Sequence, residues 1–284
     1  LGDCRRLKML KLSVHGWRGS IPSPIWQLPH LQQLTIRDID RVLNFEVPYG
    51  TIIYNGDGKV RHATISGPYQ LNWSWPSATF GFCNPAAPSI TEIHLSGIAL
   101  TGQIPASIAT CAASLQLLQI QDTSIQGPLP PVMGNLTQLR HLHLINNNLL
   151  TGAIPPALGA LMNRNTLYLS RNNLTGSIPH ALGALQTNLS YLSLSRNELT
   201  GRIPTTLGAL MNLWKLELSG NRLTGGIPPA LGSLTNLWGL NFSNIIVTGS
   251  IPSTLRALTN LDCLDLSQNS LTGSISTTLG TLTN

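Results

Sequence analysis

An α/β solenoid of stacked strand-and-turn coils is the fold this sequence predicts. Three observations carry that prediction. A short phrase returns every 24 or 25 residues, leucines stand two apart inside each copy, and an asparagine recurs at one place in the copy. The glycine of each G-x-[IL]-[PS] phrase falls at Gly102, Gly127, Gly152, Gly176, Gly201, Gly225, Gly249 and Gly273, and an earlier copy stands at Gly19. Self-similarity that keeps its phase in this way is the sequence mark of a repeat array.

Each part of the unit has a physical role. In "LWKLELS" (residues 213–219), Leu216 and Leu218 show the two-residue period of a strand with one buried face. Asn221 then recurs at the place of Asn172, Asn197 and Asn269. Buried there, its amide needs partners and finds them on backbone where the chain leaves the strand. Gly225 permits the tight turn that follows. Pro228 opens a short helical turn, where its missing amide hydrogen is no loss, and Leu231 and Leu234 point that turn inward. One unit cannot bury its own apolar face, but a stack of units can.

The unit L-x-x-L-x-L-S-x-N-x-L-T-G-x-I-P-x-x-L-G-x-L, matched almost letter for letter by residues 213–234, resembles the plant-type extracellular leucine-rich repeat. The resemblance covers residues 90–284 well, as about eight repeats with an incomplete last one, and residues 1–36 recognisably, as partial N-terminal repeats. It implies a right-handed solenoid with a parallel sheet on the concave face. It also implies extra short strands at the "LTG" segments and 3₁₀ or short helical turns on the convex side.

Between residues 37 and 89 the period fails, and the segment is rich in turn residues. Two strand-like runs, "GTIIY" and "KVRHATIS", flank "YNGDGK", a good hairpin turn. The end of the segment, with Trp73, Trp75 and Cys83, is similar to the N-terminal cap of plant leucine-rich-repeat proteins, except that the cap usually carries two nearby cysteines. The segment is therefore expected to be a cap-like or island insertion, with a separate globular domain as the alternative.

Composition narrows the classes. The chain has 284 residues, 42% of them hydrophobic and 10% charged, which suits a folded core and argues against disorder. The formal net charge of +6 is thinly spread, with Arg5, Arg6, Lys8 and Lys11 the nearest thing to a basic run. A nucleic-acid partner, which needs Lys and Arg concentrated on one face, is not expected. The basic balance gives a mild bias toward acidic partners. Cys4, Cys83, Cys111 and Cys263 lack zinc spacing and allow at most two disulfides. Cys4 and Cys111, in similar turns, are expected to be small buried thiols. No apolar run is long enough to span a membrane. The chain opens and closes inside repeats, so it reads as part of a longer protein.

Strand alternation assigns the outward residues of successive coils: Glu92/His94, Leu117/Gln119, His141/His143, Thr166/Tyr168, Tyr191/Ser193, Lys215/Glu217, Gly239/Asn241 and Cys263/Asp265. No catalytic triad, paired catalytic carboxylates, cofactor motif or metal set emerges, and an open sheet is a poor place for catalysis, so an enzyme is not expected. His94, His141, His143, Tyr168, Arg171, Tyr191 and Arg196 are the candidate ligand-binding patch, since Tyr and Arg are favoured at binding hot spots. His141 and His143 also sit at a spacing that a surface metal bridges, with exposed polar residues the plainer account. Trp214 and Trp238 share one place in neighbouring coils, where sheltering the sheet's edge is the expected role. Sequons at Asn72, Asn135, Asn173, Asn188 and Asn241 are candidate glycosylation sites, and a glycan at Asn241 would push binding toward the N-terminal half.

A second ladder, Thr101, Thr151, Thr175, Thr200, Thr224, Thr248 and Thr272, is expected to lie about 4.8 Å apart if the coils stack as strands do. Such arrays order water, and ice binding is one function they suggest. The main expectation is an extracellular or cell-surface recognition module for a protein, peptide or glycan, as in plant receptor ectodomains. The alternatives are a secreted inhibitor resembling polygalacturonase-inhibiting proteins, suggested by "LQLLQIQDTSIQGPLPPVMGNLTQL" (residues 115–139), or a structural cell-wall component.

Overall fold

The computed structural model describes residues 91–96, 100–163, 165–186 and 188–273, together with the backbone of the strands Met9–Val14, Gln33–Asp38, Gly50–Tyr54, Val60–Ser66 and Trp73–Ser74. Asn72 and Cys4, and Trp75 and Cys83 of the cap-like segment, lie outside the described residues.

One strand from each coil joins a single sheet, with partners 24 or 25 residues apart along the chain, as in His94↔Gln119 and Tyr191↔Lys215. From Glu92–Ser96 to Cys263–Asp265 every neighbouring pair is parallel. The runs "GTIIY" and "VRHATIS" pair antiparallel with each other, and the second lies parallel to Glu92–Ser96, which carries the sheet into the repeats. Each coil then makes a short second strand and a 3₁₀ turn, as in Thr200–Arg202 followed by Thr205–Ala209. A proline stands immediately before each such turn, in extended conformation at Pro179, Pro204 and Pro228.

The core is a leucine column. Leu167, Leu169, Leu192, Leu194, Leu216 and Leu218 from the strands, with Leu182, Leu207 and Leu231 from the turns, are fully buried. Adjacent strand residues alternate part-exposed and buried, so that residues two apart share a face, as in Glu92–Ser96 and His141–Ile145, which is the period that the sequence shows.

The recurring asparagine joins each coil to the one before it. Asn197 donates from Nδ2 to the carbonyls of Leu169 in the preceding coil and of Leu194 in its own, while its Oδ1 accepts the Leu174 amide of the preceding coil. Asn221 repeats this with Leu194, Leu218 and Leu199, and Asn147, Asn172 and Asn269 make equivalent bridges. Ile245, buried, occupies this place between Asn221 and Asn269. Glycines in the 3₁₀ turns bring backbones equally close. A Cβ on Gly159 would stand 2.2 Å from the Ala181 carbonyl oxygen, and one on Gly208 would stand 2.4 Å from that of Ala230.

Two expectations are corrected. Cys111 is fully buried but is disulfide-bonded rather than a free thiol, with a partner outside the described residues. Separation along the chain hides such a bond, because only proximity in the fold, Cα atoms about 4–7 Å apart, decides it. The threonines do not stack at strand spacing. In the second strands Thr200 pairs with Arg222, Thr224 with Ile246, and Thr248 with Ser270. Equivalent threonines are thus sheared by two residues per coil, which puts them roughly 8 Å apart. The concave sheet shows no such shear.

Replacing Asn197 by Leu leaves the Leu174 amide and the two carbonyls unpaired in the interior. This is expected to lower unfolding stability by about 3 kcal/mol, read by chemical denaturation. The exposed Asn173→Ala in the same coil serves as the near-neutral reference.

Candidate functional site

The unsheared register of the concave sheet builds two rows. One runs Glu92, Leu117, His141, Thr166, Tyr191, Lys215, Gly239, Cys263, and the other His94, Gln119, His143, Tyr168, Ser193, Glu217, Asn241, Asp265. Side chains on neighbouring strands of such rows are close enough for rings to touch directly or diagonally.

In the middle of the array the rings do touch. His143 stacks on Tyr168 with centroids 4.4 Å apart. Tyr168 meets Tyr191 edge-on at 4.5 Å, and Tyr191 meets Trp214 edge-on at 6.3 Å. These are the favoured geometries for aromatic pairs. His141 packs edge-on to His143, and the two imidazoles share one hydroxyl, with His141 Nδ1 at 2.8 Å and His143 Nε2 at 2.7 Å from Thr166 Oγ1. Among the described residues no group of three or more His, Cys, Asp or Glu is placed to hold a metal.

The row ends on a charged knot. Lys215 Nζ lies 2.8 Å from Glu217 Oε1, 5.0 Å from the Tyr191 ring centroid and 6.0 Å from that of Trp238. Ser193 Oγ donates to Glu217 Oε2 at 3.0 Å. Gly239 makes room for this arrangement: a Cβ there would come 3.3 Å from Lys215 Cγ, so the lysine stem lies across the glycine. The electrostatics follow from the contacts. Glu217, then Tyr191, hold the Lys215 ammonium protonated above the ordinary lysine range. Burial is the largest influence on Glu217 and would raise its pKa, but hydrogen bonds from Lys215, Tyr191 and Ser193 together outweigh it and keep the carboxylate ionised below the usual range. Burial raises both tyrosines, Tyr191 up to about 12. The knot is therefore charge-neutral as a whole, and both phenols are protonated at neutral pH.

The residues expected to bind ligand separate into three groups. His141, His143, Tyr168 and Tyr191 form the continuous ring row. His94 lies two coils away, with Nδ1 3.1 Å from Gln119 Oε1 and Nε2 3.4 Å from Glu92 Oε2. Arg171 and Arg196 are exposed just beyond the strands with φ of +59° and +55°, a place taken in other coils by Asp122, Asn146, Gly220, Asn244 and Gln268. Trp214, Lys215, Glu217 and Trp238 complete the site. The tryptophans do not serve only as edge cover, since their side chains are 48% and 45% exposed beside the row. The sequence signal for them was their shared place in adjacent coils.

Of the sequons, Asn135, Asn173 and Asn188 are exposed outside the concave rows. Asn188 Nδ2 donates to the Met162 carbonyl at 3.3 Å. Asn241 faces the concave side beside Glu217, with Oδ1 accepting from the Ser243 amide and hydroxyl at 3.0 and 2.8 Å.

Leucine-rich-repeat family models match residues 138–161, 163–223 and 260–282. The chain is a leucine-rich-repeat protein of the plant extracellular type. No curated protein sequence matches it. Among solved structures it is similar to the plant peptide hormone receptor RGFR1 in complex with RGF2, with 31% identity over 97% of this chain and 42% of that one and a TM-score of 0.76. It is also similar to the Arabidopsis receptor kinase HAESA in complex with the peptide hormone IDA and the co-receptor SERK1, with 27% identity, 92% and 46% coverage and a TM-score of 0.65. A plant ice-binding protein matches at 26% identity over 78% of this chain and 76% of that one, with a TM-score of 0.57. The chain thus spans less than half the length of the receptor ectodomains.

Two titrations check the knot. Tyrosine absorbance followed to high pH is expected to show a late step near pH 12 that Tyr191→Phe removes. Glu217 has a folded pKa below its unfolded value, so its stabilising share is present above about pH 4.5 and is lost as pH falls through the lower folded value. Glu217→Gln is expected to flatten that acid limb of the stability curve.

Proposed function

We propose that this chain is an extracellular recognition module that binds a protein or peptide in extended form along its concave face. The observation that carries this reading is the continuous ring row from His141 to Trp214, ending in the Lys215–Glu217 knot beside Trp238. Rigid tyrosine and tryptophan side chains give large contact area at low entropic cost, and such residues dominate binding energy at interfaces. The row is already packed before any ligand arrives, which lowers the ordering cost of association. Similarity to receptors solved with peptide hormones supports the same reading. His94 lies at the N-terminal margin of the proposed surface, and Arg171 and Arg196 at its flank.

Glycans at Asn135, Asn173 and Asn188 would stand clear of this surface, whereas one at Asn241 would crowd the knot. The proposed arrangement therefore has Asn241 unmodified, and peptide mass spectrometry of secreted material is expected to find it so.

The binding test is a selection of displayed random dodecapeptides on the 284-residue chain. The selected peptides are expected to lose at least tenfold in affinity to a Tyr168→Ala/Tyr191→Ala variant and nothing to Leu149→Ala, on the second-strand side. Equal binding to wild type and the tyrosine variant would remove the concave row as the site.

A further inference from the structure

Beside the two concave rows, the C-terminal coils carry a third outward column at the end where the strands begin. The amides of Trp214, Trp238 and Asp262 bond to the carbonyls of Ser190, Trp214 and Trp238, the same place in the coil before, so these residues stand side by side. All three are exposed. The charges here are lopsided. The chain as a whole has a formal net charge of +6. From Trp214 to Asp265, however, the described residues of the column and its two rows hold the acids Glu217, Asp262 and Asp265 against one cation, Lys215. The hydroxyl and amide of Ser267 hold the Asp265 carboxyl below the usual range, so it too is ionised.

The one cation is seated as a ligand would be. Lys215 Nζ is 2.8 Å from Glu217 Oε1 and lies 5.0 and 6.0 Å from the ring centroids of Tyr191 and Trp238. A carboxylate with two aromatic rings at these distances is an arrangement that receives a cation from outside, and here it is filled from within. The lysine is not wedged in place. Its stem rests across Gly239, with Cγ 3.3 Å and Cε 3.6 Å from where a Cβ would stand, so it can swing out without displacing a side chain of that residue. Exchange of its ammonium for a cation of a ligand keeps the ion pair and the ring contacts, so the displacement costs little. A guanidinium gains by the exchange, because it stacks flat on an indole and meets a carboxylate with two parallel hydrogen bonds. The excess of acid around the knot attracts a cation and not an anion to this end of the face.

We infer that Tyr191, Trp238 and Glu217 form a cation-reading subsite, held by Lys215 until a basic group of a peptide on the concave face takes its place. The inference rests on the concave-face reading above and adds the basic chemistry of the ligand. The basic group is either an Arg or Lys side chain or the peptide's N-terminal ammonium.

The displayed dodecapeptides selected on wild type are expected to carry Arg or Lys at one fixed position. One such peptide is compared with its Arg→Gln or Lys→Gln counterpart and with its N-acetylated form, by titration against wild type, Lys215→Met, Glu217→Gln and Trp238→Leu, each checked for folding by circular dichroism. Neutralising the basic group is expected to weaken wild-type binding about tenfold, and less than about threefold in Glu217→Gln and Trp238→Leu. Lys215→Met keeps an unbranched stem but removes the internal competitor. It is expected to bind the basic peptide at least about threefold tighter than wild type and to keep the dependence on the basic group. If acetylation and not the Gln replacement produces the loss, the source is the terminus and the subsite stands. Three results overturn the subsite and leave the concave-face reading intact: peptides that lose affinity to Tyr168→Ala but show no basic preference, a preference undiminished in both Glu217→Gln and Trp238→Leu, or equal or weaker binding of the basic peptide by Lys215→Met. Failure to select any peptide overturns both.

Discussion

Coils that must touch at backbone distance are the constraint on which this protein depends. No coil buries its leucines alone, so Leu192 and Leu194 are inside only because Leu167, Leu169, Leu216 and Leu218 lie above and below them. That approach is possible because Asn172, Asn197 and Asn221 satisfy carbonyls and amides of two coils at once. It also requires that Gly159, Gly183 and Gly208 have nothing to push against the next carbonyl. Stability is therefore passed from neighbour to neighbour, and Ile245 marks the one place in the run from Asn147 to Asn269 where apolar burial stands in for a polar bridge.

The same constraint sets the chemistry of the concave face. Strands held in unsheared register place outward residues of successive coils next to one another, so single substitutions in separate repeats become a contiguous surface. Tyr168 and Tyr191 come from different coils and different rows, yet meet at 4.5 Å. Lys215 belongs to a third coil and reaches the rings of Tyr191 and Trp238 because Gly239 lets its stem lie flat. The second strands, in which partners are sheared by two residues, do not convert their threonine repeat into a comparable surface. Register, more than composition, decides whether repeated outward residues form one contiguous surface.

How much of this is visible in the sequence depends on whether a feature is set by period or by contact. The coils, the alternation that turns Tyr191 and Ser193 to different neighbours from Leu192, and the interior asparagines follow from period alone. The ring row was half legible: alternation identifies His141, His143, Tyr168 and Tyr191 as outward. It gives no reason for Lys215 and Glu217 to join them, because an exposed lysine two residues from a glutamate is ordinary on any sheet. The role of the tryptophans depends on how far their rings lean, and the Cys111 disulfide on proximity that separation along the chain does not disclose.

The proposed recognition role requires that ligand lie on the ring row. Hydroxyl-radical footprinting of the chain with a saturating selected peptide tests it most directly, because the exposed aromatic and aliphatic side chains lie on different faces. Protection is expected at Tyr168, Tyr191, Trp214 and Trp238, with Leu149 and Ile246, 52% and 49% exposed in the second strands, reacting as in the free protein. Protection of Leu149 and Ile246 with the four aromatic residues still fully reactive would contradict it.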